Sequence, residues 1–193
     1  MLTKHNTEEI SGGLFLMSLF NTLWTVIAEN SLRGKDHWLF GIAFFIIVVV
    51  FVYNCFKFDK LSKSLPPDDV SLEFAAKEKK KNKWFGIIFG LEGLVIFILV
   101  NVLNNIGLPQ YFIACFALIV GLHFFPIGVI YKRKFDYFAG TWTCLVAIAG
   151  MFLIANKTYS PAIITAIIGI GCALATTAYG TRMILNGLKL MNR

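Results

Sequence analysis

Residues 84–131 read WFGIIFGLEGLVIFILVNVLNNIGLPQYFIACFALIVGLHFFPIGVIY, and this stretch decides the fold. Two apolar runs flank a short turn at 105–109. Each is close to the 20 or so residues that a helix needs to cross a bilayer core of about 30 Å. So short a connection leaves only an antiparallel hairpin of two spanning helices. The first span carries Glu92, and the second carries His123 followed by Pro126.

Folding the hairpin about residues 106–108 pairs positions whose numbers sum to about 215. Trp84 then lies level with Tyr131, beside Lys83 and Lys132, as an aromatic belt at a membrane surface requires. The same register puts Glu92 level with His123. Each is eight residues from its aromatic anchor, roughly 12 Å into the apolar layer. A lone carboxylate at such depth costs about 2.5–3.5 kcal/mol on insertion scales, so a partner is expected. The two groups can share a proton or form an ion pair, but depth leaves the rotation of each helix undetermined. Gly90 and Gly93 leave room beside Glu92 for a partner helix or for water. Pro126 is expected to distort its helix, since it lacks the N–H that would bond the Leu122 carbonyl next to His123. Asn21 falls roughly 16 Å along the first span, near the same level. Glu92, His123 and Asn21 are therefore the candidate proton- or ligand-binding residues. The competing reading makes them a buried polar lock that fixes the bundle.

The rest of the chain supports a membrane setting. Of 193 residues 57% are hydrophobic, above the 45–50% of soluble domains, and the mean hydropathy is +0.70. Six apolar blocks can be drawn, at 10–28, 38–56, 84–104, 110–131, 137–155 and 161–187. With the N-terminus inside, 15 of the 18 Lys and Arg residues fall in inner segments and 3 in outer ones. That asymmetry predicts an all-α bundle of six transmembrane helices, N-in and C-in, with residues 1–193 forming one transmembrane domain. The net charge of +7 does not argue for nucleic acid, because the basic residues cluster at the ends of apolar blocks. Residues 1–9 are polar and mixed in charge, so no cleavable leader is expected.

Segment 57–83 is the one sizeable polar stretch, a basic cytoplasmic loop or helix. Pro66 and Pro67 end any helix leaving the second span, and Asp68 and Asp69 are placed to cap the next one. A helix is predicted from Val70 into the third span, with Glu73 and Lys77 paired across one turn. Lys77, Lys79, Lys80, Lys81 and Lys83 could contact anionic lipid head groups or simply anchor topology at the surface. Small residues recur every three or four positions through Ala162, Ala166, Gly169, Ala173, Thr176 or Thr177, and Gly180. Such a face admits close helix packing, within the chain or in a homo-oligomer.

Enzymatic motifs are not evident. Cys55, Cys115, Cys144 and Cys172 form no CxxC, and no HExxH or GxSxG pattern occurs. No metal or other cofactor is expected. The expected partners are the bilayer itself, anionic lipid, and a second copy or a protein partner.

The segments WFGIIFGLEG at 84–93 and GLHFFP at 121–126 together resemble a group of small bacterial multi-pass membrane proteins with no assigned function. The resemblance covers about a quarter of the chain. It implies an inner-membrane protein in which Glu92 and His123 act as a unit, and it brings no substrate or reaction. Two functions follow from these readings: a small proton-linked transporter or ligand-binding membrane protein, or a non-catalytic scaffold or partner subunit.

Overall fold

A computed structural model describes residues 3–68 and 71–192. Among the described residues there are six long helices: α1 (Lys4–Leu32), α2 (Leu39–Ser64), α3 (Leu72–Asn105), α4 (Phe112–Tyr131), α5 (Lys134–Ala155) and α6 (Pro161–Met191). A 3-10 turn, Pro109–Tyr111, leads into α4. All six are long and apolar enough to cross a membrane, so this is a multi-pass membrane protein. Helix is what lipid demands, since backbone polar groups find no water there and must be satisfied within the segment.

Several helices outrun their apolar blocks. The 34 residues of α3 span roughly 50 Å against an apolar layer of about 30 Å, so its basic first turns project beyond that layer. Residues 57–64 continue α2, and 72–83 already belong to α3. The 57–83 segment is therefore mostly helix. The two carboxylates placed as caps of α3 do not act so. Ser71 caps α3, accepting from the Phe74 N–H at 3.2 Å, while Asp68 caps α1. Asp69 and Val70 lie outside the described residues. The Glu73–Lys77 pair forms at 2.7 Å.

The chain divides into two compact units, which are not its successive halves. One comprises Met1–Asp69 and Ala173–Arg193, the other Val70–Cys172.

In the first unit, α1 and α2 form a hairpin tied by carboxylates at both ends. Asp68 accepts the backbone N–H groups of Lys4 at 3.1 Å and His5 at 2.7 Å, two of the unsatisfied donors at the start of α1. At the other end Glu29 accepts the N–H of Gly41, and Asp36 those of Phe40 (3.1 Å) and Trp38 (3.3 Å), at the start of α2. Burial raises the Asp36 carboxyl, and the amides of Phe40 and Trp38 outweigh it, so the group sits below its ordinary value. Glu29, Arg33, Lys35 and Asp36 read in the sequence as a short external loop of mutually compensating charge. Glu29 is instead a buried residue of α1, because the positive end of α2 draws it inward.

The core of this unit is built on a repeat of seven. Phe44, Phe51 and Phe58 are the buried aromatics of α2. Phe51 packs where a side chain on Gly180 would lie, and Phe58 does the same at Gly187. Advancing seven residues on both helices shows that α2 and the end of α6 run parallel, knob into hole. The start of α1 and the ends of α2 and α6 therefore lie at one end of this unit. Polar side chains inside the helices are satisfied locally: Ser18 and Thr22 bond carbonyls four residues back, and Ser11 reaches the Cys55 carbonyl.

In the second unit, α4 lies between α3 and α5. Gly121 and Gly140 bring α4 and α5 almost to backbone contact: a Cβ on Gly140 would stand 2.9 Å from the Gly121 carbonyl oxygen. The Trp142 indole N–H donates to the Gly171 carbonyl at 2.9 Å, pinning α5 to the first part of α6. Most of the small-residue series on α6 is buried, namely Ala166, Gly169, Ala173, Thr176 and Gly180, whereas Ala162 is exposed.

Replacing Asp68 by alanine removes the acceptor for two α1 amides. Asp68→Ala is expected to lower stability by about 1 kcal/mol, with Asp68→Asn retaining most of it. Thermal unfolding in detergent, followed by circular dichroism, reads this directly. Identical transitions for Asp68→Ala and the parent would show that the cap contributes nothing.

Candidate functional site

The α3–α4 hairpin closes as its register predicts. α3 runs to Asn105, Gly107 turns the chain with φ +74°, and the Leu108 N–H bonds the Leu103 carbonyl at 2.9 Å. Phe85 meets Tyr131 edge to face at 6.2 Å between ring centres. Two turns deeper, Glu92 Oε1 lies 3.4 Å from His123 Nδ1.

This meeting depends on how each helix is rotated. Ala114, Ala117, Gly121 and Gly128 are buried on α4, and Gly121 and Gly128 face Cys144 and the Asp136–Tyr137 turn of α5. Two residues beyond Gly121 is about 160° round an α-helix, so His123 points away from α5 and toward α3. On α3 the less exposed positions Phe85, Phe89, Glu92, Ile96, Leu99 and Leu103 recur every three or four residues. They form one stripe, and Glu92 is in it. The neighbouring Leu91, Leu94, Val95, Phe97 and Ile98 are exposed and suit lipid.

Glu92 and His123 are 9% and 8% exposed, so the pair is largely buried within the helices. Two rings adjoin the imidazole, Phe89 at 5.5 Å and Phe124 at 4.4 Å. The pair falls short of a full hydrogen bond. At 3.4 Å His123 Nδ1 makes none, and Glu92 Oε2 has no hydrogen-bond partner among the described residues. A buried acid with an unused oxygen next to an imidazole can take up a proton or a polar ligand atom with little rearrangement. Pro126 lies inside α4, which continues through it. Gly86, Gly90 and Gly93 are exposed and have no atom within 4 Å of the space a side chain would fill, so this face of α3 is open.

The third candidate is placed differently. Asn21 belongs to the first unit and is fully buried there. Its amide donates to Thr177 Oγ1 at 2.7 Å, and Thr25 Oγ1 approaches its Oδ1 at 3.4 Å. It joins α1 to the end of α6.

Lys77, Lys79, Lys80, Lys81 and Lys83 all ride on the projecting first turns of α3. Lys77 pairs with Glu73 and Lys81 with Glu78. Trp24 is buried in packing, and Trp142 is held by its bond to Gly171.

Asp136, which the sequence reading does not single out, is fully buried in the first turn of α5. The signal was its position just after the start of a helix, where a carboxylate is favoured by the dipole.

A family model described as a family of unknown function (DUF7010) matches residues 73–179. The match covers more than half of the chain and includes Glu92 and His123, with Asn21 outside it. This agrees with the resemblance to proteins lacking an assigned function. No curated protein and no solved structure matches.

If Glu92 and His123 act on each other, their substitutions are not additive. Glu92→Gln, His123→Phe and the double variant are expected to give a coupling energy of about 0.5–3 kcal/mol in a double-mutant cycle. The cycle is measured by unfolding in detergent. Additivity within error would show two buried groups that merely lie close.

Proposed function

The chain belongs to this family of unknown function, and we propose that Glu92 and His123 form its proton- or ligand-binding centre, in a small proton-linked transporter or ligand-binding membrane protein. The observation that carries the reading is the 3.4 Å approach of Glu92 Oε1 to His123 Nδ1 inside the spans, with Glu92 Oε2 unused. Intramembrane ionisable groups are costly and mark proton relays and substrate paths. A carboxylate beside an imidazole changes net charge by one unit with each proton it gains or loses. A cationic or hydrogen-bonding ligand atom can take the place of that proton. The basic ends of the helices favour an N-in, C-in arrangement in the cell membrane. This puts the projecting turns of α3 in the cytoplasm.

A second reading has its own observation. The open glycine face of α3 at Gly86, Gly90 and Gly93 would admit the helix of a partner, as in a scaffold or a partner subunit with a structural Glu92–His123 pair.

Thiol labelling separates the two. Glu92→Cys and His123→Cys are introduced singly after replacing Cys55, Cys115, Cys144 and Cys172 by alanine, with Lys79→Cys as a control for access. A membrane-impermeant maleimide is expected to react at both deep positions in intact vesicles of defined orientation. Reaction at the control with none at either deep position would remove the transporter reading and leave the scaffold.

A further inference from the structure

The polar end of the α3–α4 hairpin holds an open groove of about 510 Å³, within the 300–1,000 Å³ or so typical of ligand sites. Its lining is sorted by chemistry. Lys77, Lys80 and Lys81 of α3 face it together with Lys132 from the end of α4. Phe74, Trp84, Ile130 and Tyr131 make its apolar walls.

The arrangement comes from two local features. Phe74, Lys77, Lys81 and Trp84 are three or four residues apart, so one face of α3 alternates ring, cation, cation, ring along the groove. Lys132 ends α4 in the left-handed region, φ 53°, with its N–H bonded to the Gly128 carbonyl, and this turns the chain so that its side chain joins the α3 lysines. Cations from two helices thus converge on one space. A row of topology anchors does not require that.

The charges in the groove do not balance. Lys77 is paired with Glu73, and Lys81 with Glu78, which also lines the groove. Lys80 and Lys132 are exposed and meet no acidic group among the described residues. Lys81 and Arg133 already share the Tyr131 ring, at 5.9 and 4.6 Å. The surplus is positive, so the groove suits an anion. The aromatic walls require more than an anion. Trp84 is 47% exposed and opens the apolar run of α3, so a ligand here meets lysines at one end and apolar surface at the other.

We propose that this groove is a binding site for the phosphate-bearing head group of an anionic membrane lipid. Lys80 and Lys132 take the phosphate, while Trp84 and Phe74 pack on the glycerol and the first methylenes. Juxtamembrane lysines are attracted to anionic lipid in general. The specific content here is that two of them, from different helices, act at one built site while their neighbours do not. The site is independent of the Glu92–His123 reading.

Lys79 and Lys83 supply the control, since they carry the same charge on the same helix and lie outside the groove. Purified protein is equilibrated in detergent with phosphatidylglycerol and phosphatidylcholine of identical acyl chains, and retained lipid is counted by native mass spectrometry. The parent is expected to retain phosphatidylglycerol selectively. The Lys80→Gln/Lys132→Gln double variant should lose that retention by roughly tenfold or more, and Lys79→Gln/Lys83→Gln should keep it to within about twofold. Equal losses in the two double variants would overturn the site in favour of diffuse attraction, and so would a parent without selectivity. Displacement of the lipid by millimolar inorganic phosphate, but not by chloride at the same ionic strength, would overturn the lipid as ligand and leave a site for a free anion.

Discussion

The close approach of α4 and α5 at Gly121 and Gly140 is the constraint from which the candidate site follows. Helices in lipid gain little from burying apolar side chains against each other, so backbone proximity and packing of small residues decide how they associate. Once the small face of α4 is turned to α5, the opposite face must present His123 to α3. The other unit uses the same device in a different form. There Phe51 and Phe58 occupy the spaces left open by Gly180 and Gly187, and the equal spacing sets two helices parallel.

The acids of this chain divide by what they accept. Asp68, Asp36 and Glu29 take backbone N–H groups at helix starts, where the donors are otherwise unsatisfied and the dipole favours negative charge. These carboxylates join one helix to the beginning of another and act as structure. Glu92 is different. It lies mid-helix, where the backbone donors are already spent within the helix, and it faces an imidazole instead. Burying two ionisable groups in a span is a poor way to gain stability, because desolvation offsets most of their attraction.

Much of the candidate site was legible from the residues. The short turn and the two aromatic anchors set a register in which Glu92 and His123 had to lie level, and the hairpin keeps it. The continuity of α3 and the Glu73–Lys77 pair were equally plain, being local in sequence. What was missed is long-range. Asp68 reads as a cap for the helix that follows it, yet it serves one that begins 64 residues earlier. Glu29 reads as a surface charge, yet it is buried because the start of α2 stands above it. Counting along α1 places Asn21 near the middle of its span, but its amide is committed to Thr177, and no periodicity in α1 announces a partner 156 residues away.

The sequence by itself determined the six membrane-length helices, the concentration of positive charge at particular helix ends, and the level at which an acid and an imidazole face each other. Each of these depends on local hydropathy, on spacing along one helix, or on the length of one turn. Only the tertiary structure decided which way α3 and α4 are rotated, which helix ends the carboxylates cap, and that Lys132 joins the α3 lysines around one groove. Those outcomes depend on the contact of one helix backbone with another at small residues, which sequence spacing along a single helix does not encode.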